Sequence, residues 1–217
     1  MDENLLGRWG AGELIKNDSY ILSFTAASLL RAESVRLACL HAQLKDWDAV
    51  RERAVADNLL QARKTASAVR VCRELVFRLQ GLSPAELDLL REGTGPEQDQ
   101  LLWIAICRRY RLVAEFALEV LRERFITLGA PLTLTDFDTF YNRKADWAPE
   151  LENLAPVTRK KLRQVLFRML RETGLISDNG SIQPALLGER LCRVVGQTRP
   201  ADLLYFPVFK SDLARRA

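Results

Sequence analysis

The sequence has few of the residues from which catalytic and metal sites are usually built. Its 217 residues include a single histidine, His41, and four cysteines that form no C-x-x-C pair. A zinc site of mixed ligands is not expected, because four ligands cannot be collected at any usual spacing. The common motifs of phosphate binding, dinucleotide binding and serine hydrolysis are also missing. We therefore expect no cofactor, no bound metal and no catalysis by this chain.

Long apolar runs are missing as well. The longest, LLWIAIC, ends at Arg108, whereas a membrane-spanning helix needs about 20 apolar residues. The first residues, MDENLLGRWGAGELIKNDSY, begin acidic and lack the apolar core of a signal peptide. Each cysteine, at positions 39, 72, 107 and 192, lies in an apolar helical pattern, which indicates buried free thiols. These features favour a cytoplasmic monomer that makes no membrane contact.

Apolar residues recur at helical spacing along almost the whole chain, which predicts a compact, multi-helix, all-α fold. The segment 92–99, EGTGPEQD, is the one polar stretch rich in glycine and proline near the middle. We place a linker there, between helical regions 1–92 and 97–217 that pack as one body. Farther on, GLISDNGSIQP has two short alternating runs around Asp178-Asn179-Gly180, which predicts one small β-hairpin.

One predicted helix carries an excess of positive charge. Between Val157 and Thr173 there are six basic residues and one acidic residue, Glu172, although the net charge of the whole chain is only +4. Like charges three or four residues apart destabilise a helix by about 0.2–0.5 kcal/mol per pair, and a polyanion would reverse that cost. The apolar side of the helical wheel holds Val157, Lys161, Leu162, Val165, Leu166, Met169 and Leu170.

The neighbouring segments give this helix the context of a helix-turn-helix element. A helix from Thr135 to Lys144 precedes it and the predicted hairpin follows it as a wing. A similar pair lies upstream, where a helix at 46–60 precedes another basic helix, predicted from Lys64 to Gly81. The candidate DNA-binding residues on the two basic helices are Arg63, Lys64, Thr65, Ser67, Arg70, Arg73, Thr158, Arg159, Lys160, Arg163, Gln164, Arg168 and Arg171.

Other interpretations of these patterns stay open. A basic helix face can be a solvated surface, a membrane-surface helix or a contact for an acidic partner protein. The tryptophans at 9, 47, 103 and 147 are scattered, which favours packing over base stacking. The acidic pairs Asp136/Asp138 and Glu150/Glu152 fit charges at helix starts better than a metal site.

Three stretches of the sequence resemble a known family. The segments SFTAASLLRAESVRLACL and VADNLLQARKTASAVRVCRELVFRL resemble the N-terminal half of BrxA, a core component of the BREX phage-exclusion systems. LAPVTRKKLRQVLFRMLRETGLI resembles the basic C-terminal helix of that family, and the likeness runs from Ser19 to Val195. The resemblance implies a compact helical DNA-binding protein that acts in phage defence alongside a methyltransferase and an ATPase, without catalysis of its own.

These observations together lead to one expectation for function. We expect an accessory protein that binds double-stranded DNA mainly through phosphate contacts, because lysine and arginine predominate at both basic helices. Gln164 is the main side chain suited to reading adenine. The alternative is an interaction scaffold whose basic faces contact another component of the defence complex.

Overall fold

The computed structural model describes residues 19–214. Within that range the chain forms α-helices, two 3-10 turns and no β-sheet, so the expected all-α fold is confirmed. The 3-10 turns lie at Ser23–Ala26 and Pro200–Tyr205, and a π-helical stretch, Ala117–Arg122, joins the sixth and seventh helices. The helices are α1 (Arg31–Leu44), α2 (Trp47–Ala56), α3 (Thr65–Leu79), α4 (Pro84–Glu92), α5 (Gly95–Arg109), α6 (Arg111–Phe116), α7 (Glu123–Ile126), α8 (Leu134–Ala145), α9 (Pro149–Glu152), α10 (Pro156–Glu172), α11 (Glu189–Thr198) and α12 (Lys210–Ala214).

Three helices, α4, α5 and α8, begin with the same capping contact, a capping box. An acidic side chain in the first turn accepts a hydrogen bond from the backbone N–H of the residue that caps the helix. The distances are 2.7 Å for Ser83 in α4, 2.8 Å for Thr94 in α5 and 2.7 Å for Thr133 in α8. Each cap contributes about 1 kcal/mol, which helps to define where these helices start.

The segment 92–99, expected to be a linker, forms the short turn between α4 and α5 and the first residues of α5. All residues from Leu101 to Cys107 in α5 are buried, because this helix is surrounded by other elements. A single hydrophobic cluster runs from Phe24 to Leu213 and draws on both sides of the turn. The division into regions 1–92 and 97–217 stays a prediction, and residues 1–18 lie outside the described range.

A buried arginine fastens the segment 19–30 to α3. Arg78, which is 1% exposed, donates to the carbonyl oxygens of Ala27 at 2.7 Å and Ser28 at 2.6 Å. On the preceding turn of α3, Glu74 accepts hydrogen bonds from Ser23 and from the Tyr110 hydroxyl. Buried polar groups are tolerated when they are paired in this way, and the pairing fixes where the segment lies.

The same segment is also fastened to α9 and α10. The backbone N–H of Tyr20 donates to Glu150 in α9, and the N–H of Leu29 donates to Glu172 in α10, both at 2.8 Å. The Tyr20 hydroxyl donates to the buried carboxylate of Glu115 at 2.7 Å. The segment 19–30 therefore bridges α3 and α10, the two basic helices.

A second buried arginine joins α4, α5 and the 3-10 turn at Pro200–Tyr205. Arg108 contacts both carboxylate oxygens of Glu86, at 2.7 and 2.8 Å, and Asp202 at 2.6 Å. All three side chains are almost completely buried, with at most 5% of each exposed. Burial acts to raise the pKa of the Glu86 carboxyl, but hydrogen bonds from Arg108 and Ser83 outweigh it and lower that pKa.

The predicted hairpin exists as a single antiparallel bridge between Ile176 and Ile182. Its turn is closed by Gly180, which is buried and has a φ of +85°. The Gly180 carbonyl accepts a hydrogen bond from the N–H of Leu132, just before α8, at 2.8 Å. The tip of the hairpin therefore packs against the chain that enters α8, and Asp178 and Asn179 are the exposed residues of the turn.

We predict that Arg108→Met lowers the free energy of unfolding by about 3–5 kcal/mol, because the carboxylates of Glu86 and Asp202 would stay buried without their cation. Urea unfolding followed by circular dichroism measures the change. Arg91→Met is the matched control, because Arg91 pairs with Asp88 at the surface of α4 and contributes little. Equal midpoints for both variants would contradict this role of Arg108.

We also predict that Gly180→Ala destabilises the fold more than Gly174→Ala. Both glycines have a left-handed backbone, which costs alanine about 1–2 kcal/mol. A β-carbon at Gly180 would in addition meet the carbonyl oxygen of Leu132 at a separation of 2.3 Å, whereas one at Gly174 meets no atom within 4 Å. Thermal unfolding of the two variants compares these costs, and similar midpoints would show that the Leu132 contact is unimportant.

Candidate nucleic-acid interface

The first basic helix, α3, packs through one side and exposes every predicted binding residue on the other. Ala68, Cys72, Leu75, Val76 and Leu79 are buried. The predicted residues Arg63, Lys64, Thr65, Ser67, Arg70 and Arg73 are all exposed. The four cations of this set, called here the first basic surface, make no ion pair or side-chain hydrogen bond with any described residue. Their charge is therefore available to an external anion.

The connection between α2 and α3 is longer than in a compact helix-turn-helix. The helix predicted at 46–60 ends at Ala56, and residues 57–64 lead into α3. Asn58 and Gln61 have positive φ angles of 44° and 52°, and the Asn58 side chain accepts from the N–H of Ala62 at 2.9 Å. Lys64 stands at the N-cap of α3 without a side-chain cap, so the start of the helix is open.

The second basic helix, α10, exposes one continuous stripe of side chains. Its buried side holds Leu162, Val165, Leu166, Phe167, Met169 and Leu170. The exposed stripe, called here the α10 stripe, consists of Val157, Lys160, Lys161, Gln164, Arg168 and Arg171. These positions are three or four residues apart along a single face. Lys160, Lys161, Gln164 and Arg168 have no side-chain partner within the part of the chain that is described.

Two residues of this stripe differ from the sequence-based expectation. Val157 and Lys161 were assigned to the apolar side of the helix, but Val157 is 75% exposed and Lys161 is exposed as well. Phe167, which is 3% exposed, turns toward the core instead. Lys161 is thus a binding candidate that the sequence analysis missed. Its spacing from Gln164 and Arg168, three and seven residues, was the available signal.

Arg159 and Arg163 lie beside the stripe and contact α8 instead of facing only solvent. Arg163 forms an ion pair with Asp138, and Arg159 approaches the same carboxylate at 3.3 Å and the Asp138 carbonyl at 3.2 Å. The Arg159 guanidinium also lies 4.5 Å from the ring centre of Tyr141. These two arginines, expected to carry uncompensated charge, are partly neutralised by Asp138.

The remaining predicted residues of α10 occupy less open positions. Thr158 is half-buried and does not cap the helix, which starts after Ala155. Arg171 is exposed, and its guanidinium lies 6.0 Å from the ring of Phe167 on the same helix. Thr158 therefore lies beside the α10 stripe, and Arg171 lies at its C-terminal end.

The helices α8 and α9 precede α10 along the chain, and the helix-turn-helix element expected there stays a prediction. The short helix α9 is fixed to α8 by the Tyr141 hydroxyl, which donates to the Leu151 carbonyl at 2.7 Å. The turn between them carries Trp147, which is 89% exposed, contrary to the expected packing role. Trp103 is fully buried and Trp47 stacks on His41 at 3.8 Å, as expected of packing residues. Trp9 lies outside the described residues.

Other chemistry is sparse in the described part of the chain. No group of three histidine, cysteine, aspartate or glutamate side chains gathers there to hold a metal ion. Cys72, Cys107 and Cys192 are buried as expected, whereas Cys39 is exposed. Asp136 caps α8, and Glu150 accepts from the segment 19–30, so both serve structural contacts. Among residues 19–214, no helix is both long enough and apolar enough to cross a bilayer.

Comparison with known proteins places this arrangement in a family. A BREX protein BrxA from Bacillus cereus is 25% identical over 178 residues, which cover 80% of this chain and 88% of the relative. One from Escherichia coli is 27% identical over 164 residues, covering 75% and 77%. A crystal structure of an uncharacterized protein from Magnetospirillum magneticum shares the fold, with a TM-score of 0.76 and 20% identity over 87% of this chain and 97% of that one.

The family resemblance noted in the sequence is confirmed by a family model. That model, described as BrxA, matches residues 18–198, which include both basic helices, the segment 19–30 and the hairpin. The chain therefore belongs to the BrxA family.

Proposed function

We propose that this protein is a non-enzymatic accessory component of a BREX phage-defence system that acts in the cytoplasm and binds double-stranded DNA. The observation that carries the proposal is the set of cations on α3 and α10 that have no anionic partner in the described structure. They are Arg63, Lys64, Arg70, Arg73, Lys160, Lys161 and Arg168. Membership of the BrxA family supports the link to BREX.

These unpaired cations would gain free energy by contacting the phosphates of DNA. Each phosphate that a lysine or arginine neutralises releases condensed counterions, which favours binding at low salt. If about four phosphates are contacted, affinity falls by about 100-fold between 50 and 200 mM salt. Thr65 and Ser67, exposed at the start of α3, add hydroxyl donors of the kind that commonly contact the DNA backbone.

Sequence readout is expected to be weak and confined to a few side chains. Gln164 lies at the centre of the α10 stripe and is the amide placed to pair with adenine there. Arg70, Arg73 and Arg168 are free to approach guanine in the same manner. The other free cations are lysines or lie at the helix start, where phosphate contact positions a protein without reading the sequence.

The structure argues against a membrane role for these faces. The apolar side of α10 is used up by the core, with Leu162, Leu166, Met169 and Leu170 fully buried. An interfacial helix needs such an apolar side to be free for lipid.

A second candidate partner is an acidic surface of another BREX protein, such as the methyltransferase or the ATPase, because the same unpaired cations suit carboxylates.

The test is fluorescence anisotropy of the purified chain with a labelled 30-base-pair duplex at several salt concentrations. We expect a micromolar or tighter dissociation constant at low salt and a steep salt dependence, with weaker binding to single-stranded DNA and RNA controls. An absence of duplex binding at the lowest salt would overturn the proposal. The acidic-partner candidate would then be the function to pursue.

Charge reversal on each free surface tests which residues bind. We predict that Arg70→Glu with Arg73→Glu, and separately Lys160→Glu with Arg168→Glu, weaken duplex binding at least tenfold, because each double variant changes the charge of its surface from +2 to −2 at those two positions. Arg190→Glu with Arg193→Glu on α11 is the matched control, with the same charge change and the same spacing as in α3. A comparable loss in the control would mean that only net charge matters.

A further inference from the structure

Among residues 19–214, Asp138 is the one acidic side chain that forms ion pairs with α3 or α10 from a neighbouring helix. It lies on α8, and its carboxylate faces two arginines that are one turn apart on α10. One oxygen pairs with Arg163 and the other is 3.3 Å from Arg159. The side chain of Asp138 is 33% exposed, so solvent and solutes reach the cluster.

The other candidate cations lack any such partner. On the α10 stripe, Lys160, Lys161 and Arg168 contact no carboxylate, and the same holds for the first basic surface, within residues 19–214. The neutralisation is therefore local to Arg159 and Arg163. A carboxylate and a phosphate offer a guanidinium the same kind of acceptor, two oxygens that share a negative charge.

We propose that Asp138 competes intramolecularly with DNA phosphate for Arg159 and Arg163, and that it thereby limits how strongly α10 holds a duplex. The inference rests on the DNA-binding function proposed above and names the residue that sets the strength of one of its two contacts. Bound duplex either displaces the carboxylate or contacts α10 through the stripe alone. In both cases Asp138 lowers affinity for any polyanion.

The competition has a second consequence for how the helix is used. When Asp138 holds Arg159 and Arg163, the donors that remain at the centre of α10 are those of the α10 stripe, which include Gln164. A contact that depends on the stripe is more sensitive to the bases than one made by two additional arginines, since phosphate contacts carry no sequence information. Asp138 thus favours discrimination between DNA sequences at α10, at the cost of a lower affinity for DNA.

The test is Asp138→Asn, which keeps the size and polarity of the side chain and removes its charge. We predict that the variant binds the 30-base-pair duplex about 3–10-fold more tightly than the unmodified chain. Its salt slope should steepen by about one unit, as expected when one or more extra phosphates are neutralised. The matched control is Asp88→Asn on α4, which also removes an aspartate paired with an arginine and changes net charge equally.

A double-mutant cycle separates competition from general charge repulsion. In a background of Arg159→Gln with Arg163→Gln, the gain from Asp138→Asn should vanish, because the competed groups are gone. Thermal unfolding of each variant confirms that affinity is compared between folded proteins. A gain of the same size in the arginine-free background, or from Asp88→Asn, would overturn the inference.

The outcomes also distinguish this inference from the function on which it rests. If the unmodified chain binds duplex and Asp138→Asn binds equally or more weakly, Asp138 orients the arginines instead of competing for them, and only this inference fails. If neither protein binds duplex at low salt, the proposed function fails and the inference fails with it.

Discussion

The rotation of α3 and α10 about their own axes is the constraint on which the candidate site depends. Each helix buries one apolar side in a common hydrophobic cluster, and burial of a leucine or phenylalanine contributes about 1.5–3 kcal/mol. Rotating α10 enough to hide Lys161 would bring Phe167 and Leu170 into water. The residues that face solvent are therefore set by the side of the helix that the core requires.

Polar contacts of the segment 19–30, buried at α3 and part-buried at α10, link the two helices. The segment 19–30 is held to α3 by Arg78 and to α10 by Glu172, so one stretch of chain touches both basic helices. These contacts are specific in geometry, because a buried donor without an acceptor costs about 1–3 kcal/mol. Apolar packing tolerates small shifts between helices, whereas hydrogen bonds at 2.6–2.8 Å hold the segment in register.

Helical period made the class of fold and the existence of both basic helices predictable from the sequence. The basic residues of α3 were predicted to be exposed and they are, because Ala68, Cys72 and Leu75 repeat at clean helical spacing. The wheel failed at Val157 and Lys161, which precede the first deeply buried residue of α10. Val157 lies three residues before Lys160 and Lys161 lies three residues before Gln164, so the helical period places both on the solvent side, and the assignment to the apolar side was wrong.

Contacts between distant residues were the part that the sequence did not reveal. Asp138 lies 21 and 25 positions before Arg159 and Arg163, so no local pattern indicates that α8 brings its carboxylate between them. Glu172, the one acidic residue between Val157 and Thr173, accepts from the N–H of Leu29, which lies 143 positions earlier. Trp147 is exposed although tryptophan is usually packed, because the turn after α8 carries it away from the core.

The two basic helices differ at their first turns, which suits them to different contacts in the proposed complex. α3 starts after Lys64 with exposed Thr65 and no side-chain cap, so its free N–H groups and the positive end of its dipole are open to an anion. α10 starts with Pro156, which has no N–H to offer. In the proposed complex, phosphate would therefore meet α3 at its start, whereas α10 offers its exposed cations to an approach along its side. That approach leads to the α10 stripe and to the pair of arginines beside it, and there the carboxylate of Asp138 is already bound.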